Sequence, residues 1–196
     1  WHGASCLRPK EKGAPWVRCL VDLSRGGADA DVTREFNLET REWIEGGFYR
    51  PEAKGSLSWI DEDTVYVATD FGEGSMTSSG YARIVKEWKR GTPMESAKVV
   101  FEGQPEDVSV GAEQFSTPGY ERDFVYRAPA FFSNELYLRR ADGELVKIDV
   151  PDSANKSAYR EWLTIRLREP WTVDGTTYQA GSLLAARFDD FVAGKR

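Results

Sequence analysis

Few side chains in this sequence carry reactive chemistry, and their spacing decides what they can do. There is one histidine, His2, and there are two cysteines, Cys6 and Cys19. A hydrolase serine needs Gly-x-Ser-x-Gly, so that its hydroxyl rides a strained strand-to-helix turn. Ser78 has Gly80 after it but Met76 before it, and no other serine fits. His2 lies in a segment expected to fray, a poor place for a general base. Asp70-Phe71-Gly72 has the letters of a kinase magnesium loop but no His-Arg-Asp loop upstream, so it reads as a strand followed by a glycine turn. Gly72-x-Gly74 lacks the third glycine and the helix of a dinucleotide fingerprint.

Metal chemistry is equally thin. Asp29/Asp31 and Asp61/Glu62/Asp63 could offer oxygens to calcium, yet neither has the Asp-x-Asp-x-Asp-Gly spacing with a distal Glu. Both read as hairpin-turn residues. Two cysteines and one histidine do not complete a zinc site. The cysteines are expected as free, half-buried thiols, with a bridge between neighbouring strands as the alternative. A pair of glycosidase carboxylates meeting across a propeller axis is conceivable, but nothing selects one. Asn155-Lys156-Ser157 matches the glycosylation pattern by chance in a cytoplasmic setting. No catalytic, cofactor-binding or metal-binding residue is therefore assigned, and no cofactor is expected.

Composition narrows the classes further. The 196 residues are 40% apolar, 13% aromatic and 30% charged, with 26 Lys+Arg against 32 Asp+Glu and a net charge of −6. A nucleic-acid partner needs a basic face and is not expected. High aromatic content argues against disorder. No run reaches the ~18 to 20 apolar residues that span a bilayer, and Trp1 to Arg8 has no apolar signal-peptide core. The expectation is a reduced, cytoplasmic protein without a membrane partner, and a chain beginning at Trp1 is expected to be a processed or cut-out piece.

The elements that would position any site are strands. Val32-Thr33-Arg34-Glu35-Phe36-Asn37-Leu38 alternates with period two, which places Val32, Arg34, Phe36 and Leu38 on one face. Trp16 to Leu23 precedes it, and Arg41 to Ile44 returns after a Glu39-Thr40 turn. Ser56 to Ile60 and Thr64 to Thr69 flank Asp61-Glu62-Asp63 as a hairpin. Tyr81 to Trp88, Lys98 to Phe101, Asp107 to Glu113, Asp123 to Arg127, Glu135 to Arg139 and Glu144 to Asp149 continue the series. Asp142-Gly143 and Asp174-Gly175 are favoured hairpin turns. Trp162 to Leu167, Trp171 to Val173, Thr176 to Tyr178 and Ser182 to Arg187 complete it. Phe188 to Ala193 alone reads as a helical turn.

The chain is all-β. Grouping the strands gives about four units, residues 1–45, 51–102, 104–149 and 155–196, each in the 40 to 50 residue range of a propeller blade. A β-sandwich is the alternative, but these are more strands than one sandwich holds. Trp16, Trp43, Trp59, Trp88 and Trp162 are expected to fill wedges between blades. Trp1 and Trp171, near ends or turns, are expected at the surface. Phe115, Tyr120, Phe131 and Phe132, in or beside loops, are candidates to line a peptide path or contact another domain.

Several longer strings carry a resemblance. Ser24-Arg25-Gly26-Gly27-Ala28-Asp29-Ala30, Gly46-Gly47-Phe48, Pro51-Glu52-Ala53-Lys54 and Trp59-Ile60-Asp61 resemble the first blades of the bacterial prolyl oligopeptidase family. Thr69-Asp70-Phe71-Gly72, Ser79-Gly80-Tyr81 and Val85 to Pro93 are similar to the same blade sequence, and Trp162 to Glu169, Trp171 to Gly175 and Ala180 to Leu184 to a later one.

The resemblance implies a piece of a seven-bladed propeller, here about four antiparallel blades, that caps an α/β-hydrolase domain. In the family that domain cleaves after proline through a Ser, Asp and His triad, and the propeller admits only short peptides. The hydrolase domain is expected to be absent from this chain, which alone is expected to be inactive while the parent is a serine-type endopeptidase. The implied partners are the C-terminal hydrolase domain and a short peptide substrate. Uncovered blade faces predict self-association, with Trp1 to Leu7 or Ser182 to Phe188 at the contact. An independent propeller module binding a protein or carbohydrate is the alternative.

Overall fold

The computed structural model describes residues 1–195 and is built almost wholly of antiparallel strands. It divides into two compact units, Trp1–Gln114 and Phe115–Arg196.

In the first unit, β1 (Gly3–Cys6), β2 (Arg18–Ser24) and β3 (Asp31–Asn37) lie side by side, and β4 (Glu42–Trp43) and β5 (Tyr49–Ala53) both pair with β3. A second sheet follows in simple order, β6 (Ser56–Asp61), β7 (Thr64–Ala68), β8 (Ile84–Lys89) and β9 (Lys98–Glu102). In β7 the run Val65-Tyr66-Val67-Ala68 is buried on both faces, as a central strand requires. The β6–β7 turn closes where the Asp61 carboxylate accepts the Asp63 amide at 2.8 Å. Leu20, Phe48, Trp59, Val65, Val67 and Trp88 form the core. Phe48 meets Trp88 and Trp59 edge-on, at 5.1 and 5.9 Å between ring centroids. Gly55 runs so close to β7 that a Cβ there would strike the Ala68 carbonyl oxygen. β10 (Ser109–Phe115) crosses the division between the units.

In the second unit, β11 (Arg122–Ala130), β12 (Ser133–Arg139) and β13 (Leu145–Lys147) form consecutive hairpins. β14 (Asn155–Tyr159), β15 (Trp162–Arg166) and β18 (Leu183–Arg187) make another sheet. The hairpin β16 (Trp171–Val173) with β17 (Thr176–Tyr178) is inserted between β15 and β18 as a sheet of its own. One helical turn, α1 (Phe188–Val192), stands where the sequence placed it and buries Phe188 and Phe191. The core cluster is apolar, with Phe124, Ile148, Leu163, Ile165, Leu167, Phe188 and Phe191 among its members.

Three expectations are corrected. Cys6 and Cys19 are not free thiols: they face each other in the β1–β2 register and are joined as a disulfide. Residues 3–6 are not frayed but form β1. His2 donates its backbone amide to Asp22 at 3.0 Å, and its ring Nδ1 stands 2.7 Å from the Asp31 carboxylate. On β3, Val32, Arg34, Phe36 and Leu38 share a face, and the buried face is the opposite one, with Asp31, Thr33 and Glu35. Of the five tryptophans expected on strands only Trp59 and Trp88 are core; Trp16, which precedes β2, and Trp43 and Trp162 keep 46%, 38% and 41% of their surface in solvent. Each of these three has an arginine guanidinium over its ring, from Arg8, Arg34 and Arg187.

Candidate functional site

Two constellations stand out, one buried and charged, the other exposed and aromatic. The charged one grows from β3. Strand β5 is irregular, with Pro51 in its middle, and pairs only with β3, an edge position where proline costs no ladder hydrogen bond. That pairing sets Arg50 opposite Thr33. Arg50 is fully buried; its guanidinium binds the Asp31 carboxylate, the Thr33 hydroxyl at 2.9 Å, and the carbonyls of Asp31, Pro51 and Ala53 at 3.0 to 3.2 Å. The Thr33 hydroxyl in turn donates to the Asp22 carboxylate at 2.6 Å. Burial raises the Asp22 carboxyl above its ordinary range, against the Thr33 hydrogen bond and with help from the Asp31 charge.

Two residues further along β3, Glu35 is also buried. It takes Arg90 through both oxygens at 2.8 and 3.0 Å, Arg18 at 3.2 Å and the Phe48 amide at 2.9 Å. Every buried acid here meets an arginine or a hydrogen-bond donor, the condition for holding charge out of water. The acidic clusters are answered likewise: Asp29 pairs with Lys54, Glu62 with Arg18 and Asp63 with Arg90. Asp31 is thus a buried strand residue rather than a turn residue. Among the described residues, no three or more His, Cys, Asp or Glu side chains gather as metal ligands. This constellation ties β5 to β3 and brings Arg18 and Arg90 onto the same strand.

The aromatic constellation lies in the second unit. Of the four loop candidates, Phe115 packs edge-on against Phe124 at 4.9 Å and belongs with the core. Tyr120 is half-buried with the Arg122 guanidinium 5.9 Å from its ring. Phe131 and Phe132 are 84% and 64% exposed. They form the tip of the β11–β12 hairpin, closed by the pair Ala130 and Ser133, and meet edge to face at 4.9 Å. The Arg168 guanidinium caps Phe132 at 5.3 Å.

The tip rests on a braced base. The Asn134 amide donates to Asp152 at 2.8 Å, while the Lys156 ammonium donates to the carbonyls of Asn134 and Pro151 at 2.5 and 3.3 Å. Burial lowers Lys156 to about 8, with the Asp152 charge opposing that shift. Next along β12, Glu135 receives Lys147 at 2.8 Å and the Tyr137 hydroxyl at 2.7 Å. Beside this base a cleft of about 620 Å³ opens among Lys147, Asp149, Pro151, Asp152, Trp171 and Asp174. Half-exposed Trp171 is its one aromatic wall. The sequence marked the tip through two aromatics in a loop; it gave no sign of the brace, which comes from residues 18 and 22 positions beyond Asn134.

No protein-family model matches the chain. It is 37% identical over 192 residues to an uncharacterized peptidase of Sinorhizobium fredii, which covers 94% of this chain and 26% of that protein. The chain therefore spans about a quarter of the length of that relative. The solved structure of a post-proline cleaving enzyme from Rickettsia typhi matches all of this chain and 30% of its own, with a TM-score of 0.88 at 26% identity. A structure from a study of two prolyl endopeptidases, at 14% identity, shares the fold over 83% of this chain and 24% of its own, with a TM-score of 0.61. In sequence and in its all-β, partial-propeller fold, the chain resembles the propeller part of the prolyl oligopeptidase family.

Proposed function

We propose that this chain is the non-catalytic propeller part of a prolyl oligopeptidase-like serine peptidase, and that it gates access of short peptides to a hydrolase domain. Its blades are residues 1–45, 51–102, 104–149 and 155–196. The observation that carries the reading is the likeness to a post-proline cleaving enzyme along the whole chain, at a TM-score of 0.88. The test uses the protein as its gene encodes it. Proline-containing chromogenic peptides should be cleaved, and a long unfolded polypeptide with accessible prolines should be cleaved at least a hundredfold more slowly. No cleavage of either, or equal rates on both, would overturn the reading. The independent binding module gains from the first result, but Trp16, Trp43 and Trp162, the indoles that would offer sugar platforms, already carry arginines.

Two finer points belong with this reading. A cytoplasmic setting suits reduced thiols, whereas the Cys6–Cys19 bond fits an oxidising compartment; thiol titration of freshly isolated protein separates the two. Self-association is better supported at Ser182 to Phe188 than at Trp1 to Leu7. Strand β18 ends its sheet with Leu183 71% exposed, while β1 is clasped by the disulfide. Ultracentrifugation of a Leu183→Lys variant tests this: its dimer should weaken.

A further inference from the structure

The Phe131–Phe132 tip has no local reason for its composition. Two-residue hairpin turns favour Asn, Asp and Gly, which relieve the backbone. Neither phenylalanine has a positive φ; the twist is absorbed by the register shift between Arg127 and Ala130. Nor does the core use them, since neither belongs to the second unit's apolar cluster. Yet they are held: the rings brace each other, Arg168 caps one, and Asp152 and Lys156 fix the residue behind them. A rigid, solvent-facing aromatic pair is the form of an interface anchor, because little freedom remains to be lost when it is buried.

We propose that this tip is a wedge that seats in an apolar recess of the peptidase part of the same protein; this rests on the reading above. Three considerations select that occupant. About three quarters of the Sinorhizobium fredii relative lies outside the matched region, so a tethered partner of ample size exists there. A tethered recess is present at an effective concentration in the millimolar range, which a second copy at micromolar concentration does not match. A lipid surface would call for a ring of basic residues, whereas Arg168 is followed by Glu169 and the base of the tip carries Asp152.

The test places a benzophenone photocrosslinker at the tip, as Phe131→p-benzoylphenylalanine, in the intact protein expressed from its own gene. Irradiation should give an adduct at single-chain mass, joining position 131 to a peptide outside residues 1–196. The Phe131→Ser/Phe132→Ser variant should expose that same peptide, raising its hydrogen-exchange rate at least fivefold while residues 1–114 exchange as before. Adducts at dimer mass, adducts confined to residues 1–196, or no adduct would each overturn the wedge. Failure of the underlying reading shows separately, as wild-type protein that does not cleave proline peptides. A protein that cleaves them but gives none of the expected adducts sinks only the wedge.

Discussion

The two units fill their interiors in opposite ways. The first keeps Asp31, Thr33, Glu35 and Arg50 buried on one face of β3 and its partner β5, beside an aromatic core. The second packs Phe124, Ile148, Leu163, Ile165 and Phe188 with no buried charge among them. Apolar side chains are interchangeable within a volume limit, whereas a buried ion network fails when any one partner is lost. The first unit is therefore specified by identity and the second by shape.

The largest effect should come from breaking the ion network. Arg50→Ala leaves Asp31 buried without its cation and should cost about 3 to 5 kcal/mol. Chemical denaturation followed by the fluorescence of Trp59 and Trp88 would show it, and exchange should rise in residues 1–114 first. A loss under about 1 kcal/mol would mean the network is better solvated than its geometry indicates.

The matching cut in the second unit is Leu163→Ala. Leu163 is wholly buried, and its truncation should cost about 3 kcal/mol. Leu163→Met, which keeps the volume, should cost less than about 1.5 kcal/mol. No conservative exchange should rescue Arg50 in this way; Arg50→Lys keeps the charge but loses the fork. Thermal melts of the four variants sharpen the contrast directly.

Opening the clasp on β1 comes next. The disulfide closes a sequence separation of 13 residues, for which the chain-entropy account gives about 3 kcal/mol at most. A Cys6→Ser/Cys19→Ser double variant should lose about 2 kcal/mol of that, with exchange rising in residues 1–8. The indole of Trp59, which donates to the Ser5 carbonyl at 3.0 Å, should brighten or dim in step.

The smallest effect is one of sign. A carboxyl raised by folding, as burial raises Asp22, contributes stability at low pH that is lost as pH climbs through its folded value. Glu135 runs the other way. Burial works against its charge, but Lys147 and Tyr137 outweigh burial and hold it below the ordinary range. Its contribution is present at neutral pH and lost on acidification. Lys156, lowered by burial from 10.5 to about 8, adds stability to the second unit as pH rises across that interval. Asp22→Asn and Glu135→Gln should thus tilt the pH dependence in opposite directions between about pH 3 and 6, as read by melting temperature.

Much of this contrast is invisible in the sequence. The long alternating strands and the Asp61-Glu62-Asp63, Asp142-Gly143 and Asp174-Gly175 turns are legible because side-chain period and turn chemistry are local. The short polar strands β1, β5 and β14 are not, since their pairing is decided by the neighbour and not by their own residues. Which face of β3 is buried is not legible, because its acids are made burial-competent by Arg50, Arg18 and Arg90, which arrive from 17 to 55 positions away. The Cys6–Cys19 bond needs the register of β1 on β2, which no spacing of two cysteines specifies. The aromatic tip was half legible: loop position marked all four candidates, but only packing separates Phe115 from Phe131 and Phe132.

The inserted β16–β17 hairpin has a consequence for how such a chain can change. β15 and β18 pair with each other directly across the intervening residues, so the sheet closes without the hairpin's help. The hairpin turns at Asp174 and Gly175, both with positive φ, and among the described residues its strands pair with one another as a sheet of two. Length and sequence at the Asp174-Gly175 tip can drift or be replaced while the ladder stays in register and Trp171 and Tyr178 keep their packing against the core. It is a natural port for a grafted epitope or reporter, and Trp171 at its root would announce by fluorescence whether the graft had disturbed the cleft beneath it.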